Sequence, residues 1–155
     1  MLPKGLFKDA EFLKKVRRIT TDLGFSHEED LKARDILIDI LEKRKNYPLL
    51  GFFDSLKTLI KRVSHIVIFG GGPDAALFME WMSETGHAPY FDRKTTLVVA
   101  IDGAVELLSK YDVKPNLIFT DLDGLQLSLV GTQEYDRTFF VIHAHGDNQT
   151  KLYEF

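Results

Sequence analysis

Hydrophobic residues are distributed in two different ways along this chain. Over the first 64 residues they recur at helical spacing in a charged background, and from residue 65 they fall in short, nearly unbroken runs. Phe12, Leu13, Val16 and Ile19 predict a short amphipathic helix that ends before Gly24. Ser26 followed three residues later by Glu29 is a capping-box pattern. It opens a second helix whose stripe, Ala33, Ile36, Leu37, Ile40 and Leu41, ends before Pro48. Phe52, Phe53, Leu56, Leu59, Ile60 and Val63 mark one face of a third. All three stripes read as packing surface.

The later runs, His65–Gly70, Thr96–Ile101, Leu117–Thr120 and Thr138–His143, are four to six residues long and rich in Val, Ile, Leu and Phe, as strands are. Helical segments lie between them, from about Pro73 to Glu84, including Trp81, and from about Gly103 to Tyr111. Strand and helix alternate, and the strands are apolar throughout, which indicates a parallel sheet covered on both faces. The segment from Val99 through Ala104–Leu108 to Ile118 is a compact crossover. The predicted fold is therefore α/β: a Rossmann-like, mostly parallel sheet flanked by helices. The expected organisation is an N-terminal helical region, 1–64, and an α/β domain, 65–155.

Composition supports one core: 155 residues, 45% hydrophobic, with 12 Phe. The formal charge of -3 conceals an asymmetry. Residues 1–64 carry 14 Lys/Arg against 10 Asp/Glu, and residues 65–155 carry 6 against 13. The acidic second part disfavours a nucleic-acid surface and suits cation binding. The absence of cysteine excludes disulfides, zinc thiolates and thiol catalysis. No apolar run reaches membrane-span length and no signal-peptide pattern opens the chain, so a soluble, cytoplasmic protein without membrane or nucleic-acid partners is expected.

In open α/β sheets, ligands bind beyond the carboxyl ends of the strands, and the polar residues of this chain collect there. Gly70-Gly71-Gly72 comes after the first strand, Asp102-Gly103 after the second, Asp121 and Asp123 after the third, and His143, His145, Asp147 and Asn148 after the fourth. Alternation in an extended backbone would put Asp121 and Asp123 on one side, where a carboxylate pair suits Mg²⁺. The glycine turn, with Pro73 at a helix start, reads either as a plain turn or as a phosphate cradle. Asp102 reads as a cap of the next helix or as a group near the cation. His143 and His145 are two residues apart and should face the same way. Asp147 is the candidate third carboxylate. The N-terminal helices are expected to pack away from this edge.

Ile-Asp-Gly-Ala (101–104), Pro-Asn-Leu-Ile-Phe-Thr-Asp-Leu-Asp-Gly (115–124) and Ile-His-Ala-His-Gly-Asp-Asn (142–148), in that order, resemble the archaeal-type 6-hydroxymethyl-7,8-dihydropterin diphosphokinase family. That family is distantly similar to the catalytic domain of thiamin pyrophosphokinases. The resemblance covers most of the chain. It implies Mg²⁺-dependent transfer of a diphosphoryl group from ATP to the hydroxymethyl oxygen of a reduced pterin, with release of AMP. Asp121, Asp123 and either Asp147 or Asp102 would hold the metal. One of His143 and His145 would donate a hydrogen bond to phosphate or accept the hydroxyl proton. Gly70, Gly71, Gly72, Asp102, Gly103 and Asn148 would contact the nucleotide.

Two departures from the family stand out. Asp74 comes after Pro73 where the family usually has Ser, placing an anion at a helix start where phosphate would be repelled. Family members also continue through further strands after the His-Gly-Asp-Asn stretch. The chain is thus expected to be C-terminally truncated relative to the family, binding Mg-nucleotide with weak or absent turnover. No Lys or Arg is evident beside the cluster, since Lys94, Lys110 and Lys114 lie toward helix or strand starts. A thiamin pyrophosphokinase-like enzyme and a nucleotide- or metal-binding remnant are the alternatives. Closure of an exposed sheet edge by a second copy, as a homo-oligomer, is left open.

Overall fold

The computed structural model describes residues 10–43, 49–86, 92, 94–129, 132 and 135–154. The expected helix end before Pro48 lies outside them. The sheet has four strands, β1 (His65–Phe69), β2 (Thr96–Ile101), β3 (Leu117–Thr120) and β4 (Phe139–Ile142), all parallel and in the order β1-β2-β3-β4. Helices α1 (Ala10–Asp22), α2 (His27–Lys43) and α3 (Leu49–Arg62) precede it. α4 (Pro73–Glu84) and α5 (Ala104–Lys110) connect its first three strands, and α6 (Gln149–Glu154) comes after the fourth. The arrangement is a Rossmann-like α/β fold.

β2 explains why the strands are so apolar. Leu97 to Ala100 are buried on both sides of the pleat. Val98 and Ala100 pack with Met79 of α4, with Ala104, Val105 and Leu108 of α5, and with Ile118 of β3. Leu97 and Val99 join Leu117 on the opposite face, beneath Leu56 and Leu59 of α3 and Val63 just after it. Hydrophobic side chains are thus required at consecutive positions. Each fully buried aliphatic side chain contributes about 1.5–3 kcal/mol. At the edge, β1 buries Phe69 but leaves Ile66 and Ile68 exposed.

Both edge strands are shorter than expected. Gly70 lies outside β1, and Thr138 and His143 lie outside β4. The Thr138 hydroxyl donates to the Pro115 carbonyl instead (2.8 Å). The His143 amide still donates to the Thr120 carbonyl at 2.8 Å, so the chain leaves the sheet held by one more ladder-like bond.

The N-terminal helices form as expected. α1 ends in a Schellman motif: Gly24 has φ 77, its amide bonds to the Thr21 carbonyl, and the Phe25 amide bonds to that of Thr20. At the start of α2 the Glu29 amide donates to Ser26 Oγ (3.4 Å), the forward half of the capping box. α1 itself buries no side chain, so its stripe is not packing surface within the described residues.

The placement of α2 corrects the expectation that these helices keep clear of the strand ends. Ala33, with Ile36, Leu37 and Ile40, packs on Leu122, Leu152, Ile142 and Ala144. The first turn of α2 touches the Gly146 turn directly: Asp30 Oδ1 accepts from the Gly146 amide at 2.9 Å. A Cβ at Gly146 would lie 2.7 Å from that of Glu29, so only glycine permits this approach. The polar strand-end cluster therefore rests on an α2 floor.

Candidate active site

Beyond Thr120 the chain stops being extended. Leu122 has φ 73, a left-handed conformation that a branched aliphatic residue rarely adopts. It is held there because its side chain is buried with Ala33 and Leu152 and its amide donates to Thr120 Oγ1 at 2.8 Å. The Asp123 amide donates to Asp121 Oδ1 at 3.0 Å, closing an Asx-type turn. Asp121 and Asp123 are thus brought together by a turn around Leu122 and not by strand alternation. Strained backbone of this kind persists where surrounding packing enforces it, and such places are often functional.

The loop after β2 supports this turn. Asp102, also left-handed at φ 45, does not cap α5. Its Oδ1 accepts from the Asp121 amide at 3.1 Å, and Gly103 occupies the cap position without a side-chain bond. Asp102 therefore orients Asp121. A Cβ on Gly124 would stand 2.8 Å from the Gly103 amide nitrogen, which explains the glycine there.

The stretch after β4 supplies the imidazoles. The rings of His143 and His145 stack with centroids 5.2 Å apart and planes at 25°, facing the same way as expected. His145 is the inner one, its side chain 15% exposed. Its Nδ1 is in direct contact with Asp147 Oδ1, which accepts the Nδ1 proton. The His145 Nε2 is buried without a hydrogen-bond partner among the described residues, 3.7 Å from Asp121 Oδ2.

Asn148 corrects the nucleotide-contact assignment. It is fully buried, and its side chain is consumed within the protein: Nδ2 donates to the carbonyls of Asp121 (2.7 Å) and His143 (2.8 Å), and Oδ1 accepts from the His145 amide (3.0 Å). It ties the end of β3 to the end of β4 and leaves no polar atom for a ligand.

A residue that sequence reasoning missed completes the cluster. Lys151 Nζ lies 2.7 Å from Asp123 Oδ1. This hydrogen bond holds the Asp123 carboxyl below its ordinary pKa, against a smaller desolvation in the other sense. Asp123 in turn raises the Lys151 ammonium, and Asp121 and Asp147 add to that effect. The ammonium thus meets Asp123 directly and feels Asp121 and Asp147 at longer range. Asp147 stands four residues before Lys151 but in the turn ahead of α6, so no helical spacing announced the residue.

Gly70, Gly71 and Gly72 are exposed, none has a positive φ, and a Cβ on any of them would meet nothing within 4 Å. Neither sterics nor turn geometry requires glycine there, so the plain-turn reading leaves three consecutive glycines unexplained. The turn lies after β1, two strand spacings or roughly 10 Å from the end of β3, and only a ligand spanning that distance would join it to the carboxylates. A cavity of about 680 Å³ opens elsewhere, beside α3 and the start of β4, lined by residues including Asp54, Arg62, Asn116 and Arg137. It lies at the opposite end of the strands from the carboxylates and imidazoles, so the chemistry and this cavity do not coincide.

The residues present fit a hard divalent cation. Asp121 Oδ2 lies 3.7 Å from His145 Nε2, which has no hydrogen-bond partner among the described residues, and carboxylate oxygens such as this one are the ligands a hard cation takes. Among the described residues no three of these groups close into a cage by themselves. Mg²⁺ does not need one, because it keeps several waters and takes its other ligands from phosphate.

Fold and site together define a Rossmann-like α/β protein with an acidic, imidazole-bearing centre at its strand ends. The chain is related to curated archaeal proteins named 6-hydroxymethyl-7,8-dihydropterin pyrophosphokinase. It is 34% identical to that of Pyrococcus furiosus, 33% to that of Methanocaldococcus jannaschii and 30% to that of Methanothermobacter thermautotrophicus. Each similarity covers 87% of this chain and 52% of the relative, so the chain spans about half the length of the curated relatives it matches. No family model matches it.

Proposed function

We propose that this chain binds Mg²⁺ and ATP at the ends of β3 and β4 and takes part in transfer of the β,γ-diphosphate to the hydroxymethyl oxygen of a reduced 7,8-dihydropterin, giving the pterin diphosphate and AMP. The observation that carries the reading is the opposition of Asp121 Oδ2 to the unpartnered His145 Nε2. It is joined to relatives whose names state a pterin pyrophosphokinase.

In this reading Asp121 and Asp123, with Asp147 beside them, would hold the metal, whose chemistry is to neutralise phosphate charge and orient the group transferred. Asp102 and Asn148 fix the direction of Asp121 through its amide and its carbonyl. Asp147 accepts from His145 Nδ1, which leaves Nε2 free to accept the alcohol proton. His143, exposed and stacked on His145, is placed to donate a hydrogen bond to a phosphate oxygen. Bare amides of the Gly70–Gly72 turn would meet the far end of the nucleotide. Asp74, in the first turn of α4, opposes an anion there. The acidic site calls for no nucleic-acid partner.

The test is a product assay. ATP and 6-hydroxymethyl-7,8-dihydropterin should give AMP and the pterin diphosphate in equal amounts, however slowly, only with a divalent cation, and not when thiamin replaces the pterin. Mg-ATP binding without AMP formation from any pterin alcohol would overturn the transfer step.

A further inference from the structure

Lys151 has no part in the site as read from the sequence, yet its Nζ lies 2.7 Å from Asp123 Oδ1 in the acidic cluster. Its backbone is anchored: the next residue, Leu152, is fully buried against Ala33 and Leu122. Its side chain is 40% exposed and that of its partner Asp123 is 59% exposed, so the ion pair is wetted and exchangeable. Exposed pairs are weak, and breaking one is cheap for a stronger competitor. A divalent cation on Asp121, Asp123 and Asp147 would be such a competitor. Two cations cannot share those carboxylates without repulsion, and an ammonium on a four-carbon stem can swing while its helix stays fixed. The nearest new anion would be the phosphate that arrives with the metal.

We propose that Lys151 is the resident counter-ion of the acidic strand-end site: it neutralises the carboxylates before the metal binds, yields them to Mg²⁺, and then contacts the phosphates of the bound nucleotide. This rests on the metal-nucleotide reading above. It makes Lys151 a positioning residue that exchanges anionic partners, and it supplies a phosphate-contacting cation beside the cluster. It also predicts effects of opposite sign on two ligands, which loss of a merely structural contact would not produce.

The experiment is calorimetric titration of the full chain, as wild type, Lys151→Met and Lys151→Arg, with Mg²⁺ alone and then with ATP in saturating Mg²⁺. Loss of the competing ammonium should tighten Mg²⁺ binding by Lys151→Met about two- to fivefold, the range an exposed ion pair spans. Loss of the phosphate contact should weaken its Mg-ATP binding by about tenfold. Lys151→Arg, which keeps the charge, should stay within twofold of wild type for Mg²⁺. Unchanged or weaker Mg²⁺ binding by Lys151→Met, with wild type still binding Mg-ATP, overturns the counter-ion proposal and leaves the site assignment standing. Failure of wild type to bind any divalent cation overturns both.

Discussion

Asn148 shows how far a single side chain can be misread from its neighbours. In the sequence it ends a polar run beside a His and an Asp, which favours a ligand contact. In the fold it is a clamp whose Nδ2 holds carbonyls 27 and 5 residues away and whose Oδ1 holds the His145 amide. Asn148→Ala removes three part-buried hydrogen bonds and strands two carbonyls and an amide, each costing up to about 1–3 kcal/mol where water does not replace the lost partner. We expect a loss of roughly 2–4 kcal/mol by urea denaturation. Asn148→Asp should be at least as damaging, because it turns a donor into an acceptor facing two carbonyl oxygens. A loss below about 1 kcal/mol for both would mean that the clamp is not holding the loops. The Asp123–Lys151 pair gives a pH signature. The folded-state pKa of Asp123 is depressed, so its pairing adds stability above the ordinary carboxylate value, and that stability is lost as pH falls through the depressed one. The small difference in melting temperature between wild type and Lys151→Met should therefore be present at neutral pH and vanish in acid. A difference that persists below pH ~2 would point to packing by the Lys stem.

The elements were more legible than the contacts between them. β2 and β3 and helix α4 have the predicted boundaries, because apolar runs doubly buried in a sheet, and Pro at a helix start, are signals written into adjacent residues. The turn at Leu122 was not legible. Its left-handed backbone is enforced by packing against Ala33 and Leu152, residues 89 before and 30 after it, and local rules favour continued extension. α6 was also missed, and with it Lys151, because six residues carry too little periodicity to announce a helix. The contact between α2 and the Gly146 turn predicts that the floor of the site can be damaged from a distance. Asp30→Ala removes the acceptor of the Gly146 amide, and the fold should lose about 1 kcal/mol with the sheet intact. His145, adjacent to that turn, should become more mobile, read as broadened imidazole resonances. Unchanged His145 resonances would show that the turn needs no support from α2. Gly146→Ala should be worse, since its Cβ would press on Glu29.

Across the fold, sequential strand order puts the polar ends of β3 and β4 at one edge of the sheet, with the β1 glycine turn toward the other. Among the described residues the strand order does not reverse, so the site is not a crevice at a switch point of the kind open α/β sheets usually offer. It is an exposed acidic ledge, consistent with the excess of Asp and Glu after residue 64. No helix among the described residues is long and apolar enough to cross a membrane. The ledge was legible in the sequence because its carboxylates and imidazoles come directly after apolar strands. Its neutralisation was not, because Lys151 reaches Asp123 across 28 residues of chain. If Asp121 and Asp123 hold a metal-bound nucleotide, calorimetric titration of Mg-ATP into wild type, Asp121→Asn and Asp123→Asn, with melting temperatures taken alongside, reads that out. Each variant should bind Mg-ATP at least ~10-fold more weakly, the lower end of what loss of even a supporting residue costs a metal site. Melting should change little, because removing one of three clustered carboxylates relieves repulsion. Equal Mg-ATP affinity in all three proteins would contradict a metal-nucleotide site at these carboxylates.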